Sequence, residues 1–278
     1  MSPIISSSEL KNIPTENLIL LDARTGKDVK QNYLEKHIKG ARFIDLDKDL
    51  AEIGENAAFG GRHPLPSVEK FAEILSNLGI SEGAHVVVYD DKNASNAAAR
   101  AWWMLRSLGL DKVQVLDGGM QAAERAGLEF SSGEERFDTA SLIKKDQWLL
   151  PVSSLEVVEN ELKNDSSTVV DVRDAYRYKG ESEPIDLVAG HIPGAINIPF
   201  SENLDENGNF LKPEVLKEKY KQLLEDKPEH LIIHCGSGVT ACHTILALDY
   251  AGFPMPDLYV GSWSEWSRRE GKEIAKDI

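Results

Sequence analysis

The chain repeats itself, and the repeat constrains its fold more than any other feature. Leu18-Ile19-Leu20-Leu21-Asp22-Ala23-Arg24 returns as Val169-Val170-Asp171-Val172-Arg173. His37-Ile38-Lys39-Gly40-Ala41 returns as His191-Ile192-Pro193-Gly194-Ala195, and Val86-Val87-Val88-Tyr89-Asp90 returns as Leu231-Ile232-Ile233-His234-Cys235. Gly118-Gly119 returns as Gly261-Ser262. The pairs Asp22/Asp171, His37/His191, Asp90/Cys235 and Gly118/Gly261 lie 149, 154, 145 and 143 positions apart. A nearly constant offset with small insertions means a duplicated domain, so one fold must be reached twice.

In each half, short β-branched runs alternate with helical patterns: 86–89 precedes 97–108, and 231–234 precedes 241–250. Apolar strands alternating with helices predict α/β domains, each a parallel sheet with helices on both faces. Residues 1–130 are expected to form the first domain and 151–278 the second. The stretch between them, 131–150, opens with Ser131-Ser132-Gly133-Glu134-Glu135, is polar and weakly periodic, and reads as a linker.

A 41% hydrophobic content over 278 residues supports a sizeable core, and a formal charge of −15 argues against nucleic-acid binding. No apolar run approaches membrane-spanning length. The start, Met1-Ser2-Pro3-Ile4-Ile5, has no basic stretch followed by a long apolar one, so a cytoplasmic, reducing setting is expected. The two cysteines, Cys235 and Cys242, suggest neither a disulfide framework nor a metal site.

Cys235 ends an apolar strand pattern and opens the loop Cys235-Gly236-Ser237-Gly238-Val239-Thr240, after which a helix pattern starts at Ala241. Sites in parallel sheets form at the carboxyl ends of strands, where this thiol falls. Two glycines let successive N–H groups turn inward, and the helix start adds partial positive charge. Such a cradle favours the nucleophilic thiolate. A core cysteine has no need of it. Trp263 and Trp266 share a helix face and read as core, as do Trp102 and Trp103.

From this loop through Ala241, Cys242 and His243, and again at Gly261-Ser262-Trp263 and Glu265-Trp266, the chain resembles the two-domain rhodanese-type sulfurtransferases. The resemblance covers essentially the whole chain. The Cys-Gly-Ser-Gly-Val-Thr loop is similar to that of the 3-mercaptopyruvate branch. Thiosulfate-preferring relatives usually carry Arg and Lys where this chain has Gly236 and Ser237, and a thiosulfate donor is the main alternative. The resemblance implies two tandem rhodanese-like domains and double displacement through a persulfide on Cys235. The donor is then a small molecule, the acceptor is a thiol, cyanide or a thioredoxin-like protein, and no cofactor is called for.

The resemblance also implies site residues. Arg177 matches the arginine that holds the donor, and Gly236, Gly238, Val239 and Thr240 supply loop N–H groups to substrate. Where the family often has a second arginine, this chain has Ile185; Arg62 or Lys179 could substitute. Ser237 is expected to handle a proton, linked to His37 and Asp28. His37 recurs as His191, however, so a structural role for both histidines stays open. Thr240 could cap the next helix or donate to the persulfide. Asp90 stands where Cys235 does in the second half and cannot carry sulfur, so the first half is expected to be catalytically silent. A phosphatase using such a loop would need an arginine at the position held by Ala241.

Overall fold

The computed structural model describes residues 1–14, 16, 18–224 and 230–277. The chain divides into two compact units, and the division does not follow chain order. The first unit comprises Met1–Glu52, Pro66–Leu150 and Glu206–Asn209; the second comprises Ile53–Leu65, Pro151–Asp205 and Phe210–Ile278. The stretch that reads as a linker therefore packs with the first unit. Its polar surface conceals two apolar anchors: Ile143 is buried, and Trp148 packs against Phe71 and Trp103 at ring separations of 5.7 and 6.2 Å. Leu149 N donates to Ser107 O at 2.8 Å and ties down the end of the stretch.

The first unit contains strands β1 (Ile4–Ile5), β2 (Leu18–Asp22), β3 (His37–Ile38), β4 (Arg42–Phe43), β5 (His85–Tyr89), β6 (Val113–Leu116) and β7 (Phe130–Ser131). Its helices are α1 (Ser7–Leu10), α2 (Val29–Glu35), α3 (Val68–Asn77), α4 (Ala97–Ser107) and α5 (Gly119–Arg125). A five-stranded parallel sheet runs β1-β6-β5-β2-β4, and β3 pairs antiparallel with β7. Helix α3 shows why such sequences fold this way. Ser67 caps it by accepting from Lys70 N, and Val68, Phe71, Ala72 and Leu75 recur at helical spacing on the buried face.

The second unit repeats the plan with β8 (Val152–Ser153), β9 (Ser167–Asp171), β10 (Ile196–Asn197), β11 (His230–His234) and β12 (Asp257–Tyr259). Its helices are α6 (Leu155–Glu161), α7 (Ala175–Lys179), α8 (Pro213–Leu224), α9 (Ala241–Tyr250) and α10 (Ser262–Trp266). The parallel order β10-β9-β11-β12-β8 matches β4-β2-β5-β6-β1 strand for strand. Register agrees too: Asp22 lies opposite Tyr89, and Asp171 opposite His234. The repeated Asp-x-Arg is a buried ion pair in both units, Asp22–Arg24 at 2.7 Å and Asp171–Arg173 at 2.6 Å. From Ala241 to Leu248 helix α9 is buried all round, as expected of an element packed into a core. Trp102, Trp103, Trp263 and Trp266 are all core residues.

Candidate active site

Cys235 directly follows β11, and its loop ends where α9 begins. The residue is buried, and both cysteines are free thiols. Its backbone is pinned by contacts with the turn after β12. Cys235 N donates to Ser262 Oγ at 3.2 Å, while Trp263 N donates to Cys235 O and Ser264 N to Gly236 O, at 3.0 and 2.8 Å. Gly238 has φ +72°, and a Cβ there would meet Val260 O at 2.5 Å, so only glycine fits. The loop N–H groups of Gly236, Ser237, Val239 and Thr240 find no hydrogen-bond partner among the described residues. Thr240 makes no side-chain cap to α9, leaving its hydroxyl available to the loop.

The equivalent loop of the first unit is closed. Asp90 Oδ1 accepts from Lys92 N at 2.8 Å and Ala94 N at 2.9 Å, and Asp90 Oδ2 accepts from Ala98 N at 3.2 Å. The carboxylate thus occupies the cradle that its own loop forms. Burial raises the Asp90 pKa, and the three N–H groups oppose that shift.

Ser237 Oγ lies 2.8 Å from His63 Nδ1. His63 belongs to the 53–65 segment of the second unit. The resemblance instead links Ser237 to His37 and does not single out His63. The structure gives His37 other partners: Nδ1 bonds Tyr33 O at 2.7 Å, and Nε2 meets Ser131 Oγ at 2.9 Å and Glu135 Oε1 at 3.2 Å. Its ring stacks on Tyr33 at 4.2 Å, as His191 stacks on Tyr178 at 3.7 Å. Each of these histidines also pairs with a late segment of its own unit, His37 with Ser131 and His191 with Ala275. Both are fasteners of the repeated fold. Asp28 opens α2 from a left-handed backbone (φ 57°), makes no capping bond, and lines an open pocket with Arg24, Lys30 and Asp45.

Arg177, on α7, is buried in an acidic clasp. Its Nε and Nη2 grip Glu183 at 2.8–3.1 Å, and Nη2 also reaches Asp186 Oδ2 at 3.4 Å. Burial pulls its pKa down, but Glu183, Asp186 and the nearby Cys235 outweigh burial and raise it, so the guanidinium stays charged. Ile185, where a second arginine was sought, is more than half exposed at 56%. Among the described residues, no cluster of three or more metal-ligating side chains occurs, and no helix is long and apolar enough to cross a membrane.

Comparison with known proteins agrees with this architecture. The rhodanese-like domain matches twice, over residues 6–126 and 154–269. A probable 3-mercaptopyruvate sulfurtransferase of Pseudomonas aeruginosa is 45% identical, covering 87% of this chain and 85% of that one. The thiosulfate sulfurtransferase of Gallus gallus is 36% identical, with 87% and 82% covered. The solved 3-mercaptopyruvate sulfurtransferase of Leishmania major superposes with a TM-score of 0.81 at 30% identity, covering 96% of this chain and 74% of that one. The chain belongs to the rhodanese-like family, with one copy of the domain in each half.

Proposed function

We propose that the chain is a sulfurtransferase that moves sulfur from 3-mercaptopyruvate to a thiol or cyanide through a persulfide on Cys235, releasing pyruvate. One observation carries the reading. A buried thiol opens a loop in which the N–H groups of Gly236, Ser237, Val239 and Thr240 have no partner among the described residues, with the Ser237–His63 pair at its side. The donor named for the relative at 45% identity supports the choice of mercaptopyruvate.

The Cys235 thiolate attacks the donor sulfur, forming an S–S bond as the donor's C–S bond breaks. The electron pair leaves on carbon as an enolate. The proton of the donor thiol ends on that carbon, giving pyruvate and a persulfide anion. Ser237 is positioned by His63 to donate to the enolate oxygen and to pass the proton. The N–H groups of Gly236, Ser237, Val239 and Thr240 serve the persulfide charge, as an oxyanion hole serves an alkoxide. The acceptor then attacks the outer sulfur and regenerates the thiolate. The closed Asp90 loop supports a silent first domain. A reducing, cytoplasmic setting would keep the Cys235 thiol free for this chemistry.

Incubation with mercaptopyruvate followed by mass spectrometry should show one added sulfur, located on Cys235. Cys235→Ser should carry none and give no turnover, whereas Cys242→Ala should keep most activity. Sulfur found on Cys242 would sink the mechanism. Higher kcat/KM for thiosulfate than for mercaptopyruvate, with a common acceptor, would transfer the reading to a thiosulfate enzyme.

A further inference from the structure

Asp186 is the hub of a charge cluster in the second unit. Its carboxylate accepts from Arg62 Nε at 3.0 Å, Arg62 Nη2 at 3.4 Å, Arg177 Nη2 at 3.4 Å and Arg268 Nη1 at 2.9 Å. Glu183 takes Arg177 and also Arg173 Nη1, and Asp171 takes the rest of Arg173. Four guanidinium groups thus meet three carboxylates, a local excess of one positive charge in a chain of net charge −15.

Gly236, the residue after the nucleophile, opens towards this excess. A Cβ built on it would lie 3.1 Å from Arg62 Nη2 and 3.5 Å from both Arg177 Nη2 and Asp186 Oδ2. The missing side chain therefore leaves two guanidinium edges facing the loop, with Asp186 Oδ2, which accepts from both, between them. Arg62 is the more accessible of the two, with 26% of its side chain exposed against 10% for Arg177. It is also firmly mounted. Its backbone N donates to Ser264 Oγ at 3.0 Å, and the adjoining His63 holds Ser237. Gly61, with φ +78°, allows this mounting: a Cβ there would meet Gly261 O at 2.4 Å.

We propose that Arg62 is a donor-binding residue, which together with Arg177 receives the carboxylate of a 2-oxo acid beside Gly236. The proposal rests on the reading of the chain as a mercaptopyruvate enzyme. A planar fork suits a carboxylate in geometry and charge. Asp186 orients both guanidinium groups before the donor arrives, which reduces the ordering cost of binding. Ile185 leaves the second cationic role vacant on its own segment, and Arg62 fills it from a segment remote in sequence.

The test compares wild type with Arg62→Gln, Arg62→Lys and Gly236→Ala in the full chain, using mercaptopyruvate as donor, cyanide as acceptor and pyruvate as probe. In Arg62→Gln, the donor KM should rise roughly 10- to 150-fold, the cost of a lost charged hydrogen bond. The KM for cyanide should stay put, and pyruvate affinity by calorimetry should fall in parallel. Arg62→Lys should fall between wild type and Arg62→Gln. Gly236→Ala, which aims a methyl group at Arg62, should also weaken pyruvate and reports on the site even if the Arg62 variants unfold. Unchanged pyruvate affinity in folded Arg62→Gln, or in Gly236→Ala should the Arg62 variants unfold, overturns the role of Arg62. A wild type that binds pyruvate but does not turn over mercaptopyruvate overturns the donor assignment instead.

Discussion

At the scale of single residues, two histidines do different work. His37 is fully buried, with both ring nitrogens engaged and its ring stacked on Tyr33. His63 instead bonds the hydroxyl two residues beyond the nucleophile. His37→Ala should therefore lower thermal stability, by about 2–4 kcal/mol for a stacked and hydrogen-bonded buried ring, while kcat of the folded protein stays near wild type. His63→Ala should keep its melting temperature and lose roughly 10²- to 10⁴-fold in kcat, the usual worth of a proton-transfer partner. Melting curves and steady-state rates on both variants decide the matter. A folded but inactive His37→Ala would restore the histidine expected from the sequence.

At the scale of elements, the carboxyl ends of β9 and β11 hold a buried electrostatic junction beneath the nucleophile. His234 Nε2 lies 3.9 Å from Asp171 Oδ2, and His234 Nδ1 lies 3.2 Å from Cys235 O. Burial lowers the His234 pKa below its ordinary 6.5; Asp171 opposes that shift, and Arg173 and His191 add to it. Asp171 is pushed up by burial, but His234 and Arg173 outweigh this and hold it below its ordinary value. The sign for stability follows from proton counting. Below pH 6.5 the unfolded chain binds a proton at His234 that the native state resists, so stability falls as pH falls. Urea denaturation should show wild type losing up to about 1.4 kcal/mol per pH unit more than His234→Gln between pH 6.5 and 5. Parallel profiles would mean that folding leaves the His234 pKa unshifted. The first unit holds Tyr89 at this position, and its hydroxyl donates to Asp22 at 2.8 Å. That neutral anchor carries no such pH dependence near neutrality.

At the scale of the whole molecule, the sequence was most legible where structure is local or duplicated. The two parallel sheets, the strand–loop–helix around Cys235 and the paired Asp-x-Arg bridges are each written in contiguous residues and then written again. His63 and the mounting of Arg62 were not legible. The 53–65 segment has no helical or strand period and no copy in the second half, and its partners Asp186 and Ser237 lie 124 and 174 positions away from Arg62 and His63. The available signal was Gly60-Gly61-Arg62-His63-Pro64, a glycine- and proline-bounded loop carrying an arginine beside a histidine. Its contacts bear on how the chain can be divided. Gly60 N donates to Glu265 Oε1 at 2.9 Å, Arg269 lies over Phe59 at 4.5 Å, and Arg62 pairs with the buried Asp186. Residues 151–278 alone would therefore lack the Ser237 partner and one of the arginines on Asp186. That fragment should still be alkylated at Cys235 by iodoacetamide, but it should be less stable than the intact chain. It should show no measurable sulfur transfer from mercaptopyruvate. Adding a peptide of residues 53–65 in excess should raise its melting temperature and restore part of the turnover. Wild-type kcat/KM from the fragment without the peptide would remove both His63 and Arg62 from the active site.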